Sequence, residues 1–206
     1  MQLKTPKDLA IKARMLGKKT ISYSQFSRYK TCPKSWKLAY IDKETSWDPS
    51  IYLIFGTAFH ETLQTYLDTM YKETAVKANE LDVNKILMES MKREYKAVVD
   101  EYGQDFSTPE ELGEFYQDGV AIMEWFKKKR GAYFNKKNTK LVGIEMPILC
   151  EVDSNPNIMI MGFMDVVMKE HDKIVIYDIK TSTRGWKAAQ KKANGDRLRL
   201  YKKFFS

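Results

Sequence analysis

Alternating apolar and polar side chains over residues 159–182 predict two neighbouring β-strands. Alternate residues of a strand share a face. One face of the second strand therefore carries Ile174, Ile176, Asp178 and Lys180, and the other carries Val175, Tyr177 and Ile179. In the first strand the shared face consists of Met161, Phe163, Asp165 and Val167. A hairpin tip between His171 and Asp172 would join the two strands.

A hairpin with this tip sets Asp165 directly opposite Asp178. Opposite residues have Cβ atoms about 4.5–5.5 Å apart, and like charges at that distance repel. A divalent cation would remove the repulsion, because hard cations such as Mg²⁺ bind carboxylate oxygens and keep some of their waters. Lys180 lies on the same face, so the three side chains predict a phosphodiester-cleaving metal site.

An ordinary polar trio on a solvated strand face is the alternative interpretation. The two acids, however, end apolar runs over residues 158–164 and 174–177. A solvated face would be unusual there. The pattern therefore favours the metal site.

The earlier part of the chain has helical spacing. Ser22 with Gln25 and Thr108 with Pro109 are typical helix starts. Apolar residues three and four apart form one stripe of a long helix: Phe55, Phe59, Leu63, Tyr66, Leu67 and Met70. Further helices are predicted over residues 79–103 and after Thr108. They contain no recognisable catalytic grouping, which indicates a helical insertion before the sheet that shapes a substrate channel.

Two short helices, the second opening at Pro33, carry aromatic residues. These are Phe26, Tyr29, Trp36 and Tyr40. Base stacking and packing within a helical hairpin both account for them, and the sequence leaves the two interpretations open.

Two further residues have two interpretations each. His60 flanks the apolar stripe of the long helix, where it is either an edge histidine or a metal ligand. Glu145 lies among apolar residues of a strand predicted over residues 141–152. It is either a further acid of the metal site or a solvated strand residue.

Composition and charge indicate one globular domain over residues 1–206, with a helical region at about 22–133 and the sheet and final helix at about 140–206. The chain has a formal charge of +8. Residues 182–206 contain eight basic residues and one acid, Asp196, which would cap a final helix after an interruption at Asn194-Gly195. A basic field beside a metal site suits nucleic acid, although a merely soluble basic helix has the same composition.

The two cysteines and the absence of a Cys-x-x-Cys motif indicate neither a disulfide framework nor a zinc site. The longest uncharged apolar run, over residues 51–59, is shorter than the roughly 20 residues that span a bilayer. Together these features predict a soluble cytoplasmic protein. The helical pattern is still open at residue 206, so we expect the natural chain to continue.

Taken in order, five motifs resemble the RecB-like exonuclease branch of the PD-(D/E)XK nuclease superfamily, of the phage and bacterial type. They are Ser22-Tyr23-Ser24 with Cys32-Pro33, Gly56-x-x-x-His60, Gly162-x-x-Asp165, Asp178-x-Lys180, and Tyr201 in a basic helix. The resemblance spans roughly residues 22–201. It implies an α/β fold with a restriction-endonuclease-like mixed β-sheet flanked by helices, and a nuclease that depends on Mg²⁺ or Mn²⁺.

The resemblance also implies roles for individual residues. His60, Asp165 and Asp178 would be metal ligands, together with the backbone carbonyl of Ile179. Lys180 would orient or activate the attacking water and stabilise charge on the phosphate.

The chain departs from the family pattern in two respects. Arg197 stands where family members usually have Gln, four residues before Tyr201. Some relatives hold an iron–sulfur cluster with one cysteine near Cys32 and three near the C-terminus. Those three are absent here, so no cluster is expected.

The predicted function is DNA hydrolysis, by an exonuclease acting in recombination, repair or phage DNA processing in a bacterial or phage-infected cell. Single-stranded DNA or duplex ends would be the substrate, and a helicase or recombinase a protein partner. The residues expected to contact DNA are Ser182, Lys187, Lys191, Arg197 and Tyr201. A catalytically silent DNA-end-binding subunit and an RNA-directed nuclease are the alternatives, although no single-strand RNA module is recognisable.

Overall fold

The computed structural model describes residues 5–44, 49–134, 138–181 and 188–205, and within the last range the side chains of residues 195–203. These residues form a mixed α/β fold. The helices are α1 (Pro6–Met15), α2 (Tyr23–Thr31), α3 (Pro33–Tyr40), α4 (Ile51–Lys72), α5 (Ala75–Glu80), α6 (Val83–Tyr102), α7 (Pro109–Lys129) and α8 (Ala188–Phe205). The strands are β1 (Lys19–Ser22), β2 (Thr139–Val152), β3 (Asn155–Glu170) and β4 (Lys173–Tyr177).

The strands form one mixed sheet in the order β1–β3–β2, with β4 also paired to β3. β1 runs parallel to β3. β4 runs antiparallel to β3, with Val166 beside Tyr177 and Glu170 beside Lys173. This register is the predicted one, and the chain turns at His171 and Asp172.

The chain divides into two compact units. The first unit consists of Met1–Trp47, Glu145–Asp165 and Trp186–Ser206, and the second of Asp48–Ile144 and Val166–Gly185. β2 and β3 each continue from one unit into the other. Within β3 the boundary falls directly after Asp165.

The second unit has a core built from α4, α6, α7 and the end of β3. All six residues of the apolar stripe predicted on α4 are buried. Gly119 of α7 allows close packing, because a Cβ atom there would lie 2.5 Å from Leu87 of α6 and 3.0 Å from Phe55 of α4. The helices predicted as an insertion therefore pack directly on the long helix.

The first unit has a smaller set of buried side chains from α1, the sheet and α8. They are Leu9, Ala13, Ile148, Met159, Met164 and Tyr201. This packing holds α8 against β3, where Gly162 lies beside the Tyr201 ring.

Two predicted helix starts are confirmed. The side chain of Ser22 accepts a hydrogen bond from the Gln25 N–H at 3.2 Å. Thr108 accepts one from the Glu111 N–H at 3.2 Å, and Pro109 follows it. Both caps satisfy an N–H group that the first turn of a helix leaves without a partner.

Two predicted helix boundaries are wrong. The helix expected over residues 79–103 begins at Val83, after an Asp82 cap that accepts from the Lys85 N–H at 3.0 Å. Asn194-Gly195 does not interrupt the final helix, because α8 runs through it. A glycine inside a helix costs only about 1 kcal/mol, and that is too little to end a helix by itself.

Among the described residues, no helix combines the length and apolar character that crossing a membrane requires.

Candidate active site

α4 of the second unit positions His60 at the edge of its buried face. The preceding residue, Phe59, is buried in the core, and His60 itself is half-buried. The following residue, Glu61, accepts hydrogen bonds from the buried Ser90 hydroxyl at 2.8 Å and from Arg93, both on α6. The two neighbours of His60 therefore fix the rotation of the helix at this point.

The segment that follows β4 lies against the same side of α4. A Cβ atom at Gly56 would lie 3.6 Å from Oγ1 of Thr181. Gly56 and His60 are four residues apart and therefore share a helix face. Thr181, which follows Lys180, therefore lies close to the face of α4 that carries the histidine.

Asp178, Ile179 and Lys180 form a compact polar group after β4. The Lys180 Nζ lies 3.0 Å from Oδ2 of Asp178 and 3.1 Å from its Oδ1. It also donates to the backbone carbonyl oxygen of Ile179 at 3.1 Å. The Asp178 side chain is 7% exposed and that of Lys180 is 29% exposed. An ammonium group is thus held beside a nearly buried carboxylate.

Packing of the opposite strand face orients this group. Val175, Tyr177 and Ile179 pack against the core of the second unit, as the predicted alternation requires. The Tyr177 hydroxyl donates to the Glu170 carboxylate at 2.8 Å. Burial, followed by the hydrogen bond and charge of Glu170, raises the pKa of Tyr177 to about 12. Tyr177 therefore stays protonated and anchors the end of β4 immediately before Asp178.

The first unit holds a pair of acids, Glu145 on β2 and Asp165 on β3. A carboxylate oxygen of each lies within 4.8 Å of the other. Glu145 has a φ angle of +48°, which is uncommon for a non-glycine residue and a feature that clusters at functional sites. Hard divalent cations bind carboxylate oxygens grouped in this way, so the chemistry of the pair fits a metal.

Tyr201 of α8 lies beside this pair of acids. Its side chain is buried, and its hydroxyl oxygen lies 2.8 Å from where a Cβ atom of Gly162 would be. Burial raises the pKa of Tyr201, Arg197 lowers it, and the nearby Asp165 and Glu145 raise it further. The Arg197 guanidinium lies 6.0 Å from the centre of the Tyr201 ring. The motif glycine, the motif tyrosine and the two acids thus occupy one region.

The predicted site residues are therefore distributed over both units. His60, Asp178, Ile179 and Lys180 belong to the second unit, and Asp165, Arg197 and Tyr201 to the first. Of the predicted DNA contacts, Ser182 and Lys187 lie outside the described residues, as does the side chain of Lys191.

Glu145 was not among the residues assigned to the site from the sequence. In the sequence, Glu145 is recognisable as an acid among apolar strand residues. A solvent-facing strand residue has the same pattern, so the pattern alone does not assign Glu145 to the site. Its left-handed φ angle and its closeness to Asp165 are visible only in the fold.

Glu145 and Asp165 lie within β2 and β3, and Asp178 and Lys180 follow β4. Carboxylates bind the hard divalent cations that metal-dependent hydrolases use. The family model of the PD-(D/E)XK nuclease superfamily matches residues 20–204. The chain therefore belongs to this superfamily, which implies a nuclease, DNA as its substrate and the use of a divalent metal ion. A comparison with curated proteins gives no match.

Proposed function

We propose that this chain is a DNA exonuclease of the RecB-like branch of the superfamily and uses Mg²⁺ or Mn²⁺. The observation that carries the proposal is the position of the Lys180 Nζ, 3.0 Å from the Asp178 carboxylate and 3.1 Å from the Ile179 carbonyl oxygen. Both oxygens are groups that the family resemblance assigns to the metal. Lys180 is therefore next to the place where a hydrated cation would lie.

His60, Asp165, Asp178 and the Ile179 carbonyl would hold the cation, with Glu145 as a further acid. The observed pairing of Val166 with Tyr177 supports this set. If the same register continued by one step, Asp165 would stand opposite Asp178 and the two carboxylates would share a strand face. Carboxylate and carbonyl oxygens, which form most of this set, are the donors that suit Mg²⁺ and Mn²⁺.

The bound cation would lower the pKa of a coordinated water and offset charge on the scissile phosphate. The Lys180 ammonium has three donors, of which one can orient the water oxygen for attack on phosphorus. As the water oxygen bonds to phosphorus it loses a proton to solvent, the bond from phosphorus to the leaving oxygen breaks, and the leaving oxygen takes up a proton from solvent. Asp178 keeps Lys180 in place during this step through their ion pair.

Basic residues after the catalytic segment would bind the flanking phosphates. Arg197 and Tyr201 lie beside the acids of the first unit, and Arg197 would contact a phosphate in the place of the usual Gln. Ser182, Lys187 and Lys191 remain predicted DNA contacts. Such contacts are independent of base sequence, which favours an exonuclease in recombination, repair or phage DNA processing, serving a helicase or recombinase.

Cleavage of end-labelled DNA tests the proposal. Linear and circular substrates, single- and double-stranded, are incubated with the full chain and Mg²⁺ or Mn²⁺. We expect progressive shortening of linear DNA, little cleavage of circles, and a loss of about 100-fold or more in Lys180→Gln. Lys173→Gln, at the exposed first residue of β4, is the matched control and should retain activity. Equal activity of Lys180→Gln and wild type would overturn the assignment of the site.

A catalytically silent DNA-end-binding subunit is the second candidate function, and the replacement of the usual Gln by Arg197 favours it. A silent subunit would bind DNA ends without cleaving any of the four substrates. An Arg197→Gln variant that gains cleavage would show that this one residue silences the site.

A further inference from the structure

The α2–α3 hairpin of the first unit presents aromatic side chains to its surroundings. None of the described residues of these two helices is buried. Tyr29 is 50% exposed and Tyr40 is 38% exposed. The hairpin is held by an edge-to-face contact between Tyr29 and Trp36, with ring centres 5.4 Å apart, and by a hydrogen bond from Arg28 to Ser35 at 3.0 Å. Packing thus accounts for part of the aromatic surface and leaves the rest available.

A cavity of about 760 Å³ lies between α1, β1 and this hairpin, wholly within the first unit. We call it the basic cavity. Its volume lies within the roughly 300–1,000 Å³ typical of small-ligand sites. The lining residues used below are Arg14, Lys18, Lys19, Gln25, Trp36 and Tyr40.

The charged side chains among the described residues that line the basic cavity are all positive. Arg14, Lys18 and Lys19 line it, and no acid is among the described residues that do so. Lys18 forms an ion pair with Glu151, outside the lining, whereas Arg14 and Lys19 are exposed. The end of α1 fixes this group, because Gly17, at φ +69°, allows its N–H to donate to the Arg14 carbonyl at 2.9 Å. The lining suits an anionic ligand.

The cavity also offers hydrogen-bond donors and an aromatic surface. The indole N–H of Trp36 is buried, and no described group accepts a hydrogen bond from it. A buried donor without an acceptor is costly, and a small shift of the indole toward the cavity would let an oxygen of a ligand accept from it. Tyr40 adds a half-exposed ring and Gln25 an amide at the same wall. A ligand that matches this lining would carry a negative charge, a hydrogen-bond acceptor and a flat ring. A nucleotide has all three features.

We propose that the basic cavity binds one nucleotide of a single DNA strand, with its phosphate at Arg14 and Lys19 and its base against Tyr40. The proposal rests on the proposed function, because it assigns that nuclease a single-stranded substrate or a frayed duplex end. Bases within a duplex are stacked on each other, so an aromatic ring in a cavity can stack only on an unpaired base. Stacking tolerates any base, which agrees with hydrolysis independent of sequence.

Fluorescence anisotropy of a labelled thymidine oligonucleotide, with the full chain in EDTA, measures binding without cleavage. Tyr40→Ala should weaken binding about 5-fold or more. Tyr102→Ala is the matched control, because Tyr102 of the second unit is 39% exposed and should not affect binding. Tyr40→Ala should change the affinity for a blunt duplex less than that for the single strand.

Salt dependence tests the phosphate contacts separately. Arg14→Gln combined with Lys19→Gln should reduce the slope of log affinity against log salt by about 0.7, because both groups are assigned to one phosphate and each phosphate contact on a single strand contributes about 0.7. Lys85→Gln combined with Lys96→Gln, on α6 of the second unit, should leave the slope unchanged. Thermal unfolding of every variant shows whether it is folded.

The proposal would be overturned if the folded cavity variants kept the wild-type affinity for single-stranded DNA and the wild-type salt dependence. The exposed aromatic surface would then be assigned to a protein partner. Equal losses for single strand and duplex would also overturn it, because the cavity would then not recognise an unpaired base. The proposed function fails on a different result. If wild type cleaves no DNA with Mg²⁺ or Mn²⁺ while the cavity variants still lose single-strand binding, nuclease activity is refuted and the binding site stands.

Discussion

At the scale of single residues, the first unit is most tightly constrained where Gly162 meets Tyr201. The phenol occupies the space that any side chain at residue 162 would need. The same ring lies beside Asp165, one of the proposed metal ligands. A substitution at the motif glycine should therefore disturb the acid through the tyrosine.

Gly162→Ala tests this coupling. The new Cβ atom would lie 2.8 Å from the Tyr201 hydroxyl oxygen and 3.2 Å from its Cζ, closer than ordinary contact. We expect the free energy of unfolding to fall by about 1–3 kcal/mol, and cleavage to slow because Tyr201 must move. Denaturant titration and the cleavage assay measure the two effects.

A double-mutant cycle provides the control. Tyr201→Phe removes the hydroxyl that makes the shortest contact, so Gly162→Ala combined with Tyr201→Phe should lose less stability than the two single variants together. Strict additivity would show that the glycine and the hydroxyl do not compete for the same space.

Tyr177 makes the second residue-scale prediction, which concerns alkaline pH. Its folded-state pKa is about 12, raised from 10.0, so the stabilisation it provides is complete below pH 10 and is lost as the pH rises through 12. Wild type should therefore be more stable than Tyr177→Phe near neutral pH, and this difference should shrink between about pH 10 and 12.

Denaturant unfolding of the two proteins across this range measures the difference, and the other tyrosines cancel because both proteins contain them. A difference that stays constant up to pH 12 would contradict the role given to the hydrogen bond with Glu170.

Strand alternation predicted Asp178 and Lys180 as neighbours on one face, and they do form an ion pair. The predicted strand was too long, however, because β4 ends at Tyr177. Alternation could not reveal Glu145, whose side-chain direction depends on a local left-handed φ angle. Such a conformation is maintained by surrounding structure and has no single-residue signature in the sequence.

At the scale of elements, the second unit depends on the packing of α7 against α4 and α6. Gly119→Ala should destabilise it by about 1–3 kcal/mol, because the added Cβ atom would meet Leu87 at 2.5 Å and Phe55 at 3.0 Å. Gly113→Ala lies in the same helix, where a Cβ atom meets nothing within 4 Å. It should instead stabilise the helix by about 0.5–1 kcal/mol.

The free energy of unfolding should therefore fall in Gly119→Ala and rise in Gly113→Ala, and denaturant unfolding measures both changes. A Gly119→Ala variant as stable as Gly113→Ala would show that the helices do not approach each other as closely as the structure indicates.

Short sequence motifs correctly predicted the helix starts and the turn that are determined by residues close together in the chain. Caps at Ser22 and Thr108 and the hairpin turn at His171 belong to this group. β1 was not predicted. It has only four residues, which is too short to show a clear periodicity, and it pairs in parallel with a distant part of β3, so no hairpin turn marks it. The interruption expected in α8 was wrong because glycine propensity is a weak prior that tertiary packing overrides.

At the scale of the whole molecule, the residues assigned to the proposed site come from both compact units. The boundary between the units falls inside β3, directly after Asp165, so β3 contributes residues to both units. The sequence predicted the class of fold, and the family match over residues 20–204 agrees with it. It could not predict the division into units, which depends on long-range contacts.

Titration calorimetry with Mn²⁺ tests most directly whether carboxylates from neighbouring strands share a cation. Wild type should bind Mn²⁺, and Asp165→Asn and Asp178→Asn should each weaken binding at least about tenfold. Asp172→Asn, in the exposed hairpin turn, should bind as wild type does. Equal Mn²⁺ affinity in all four proteins, or no binding by the wild type, would contradict the account.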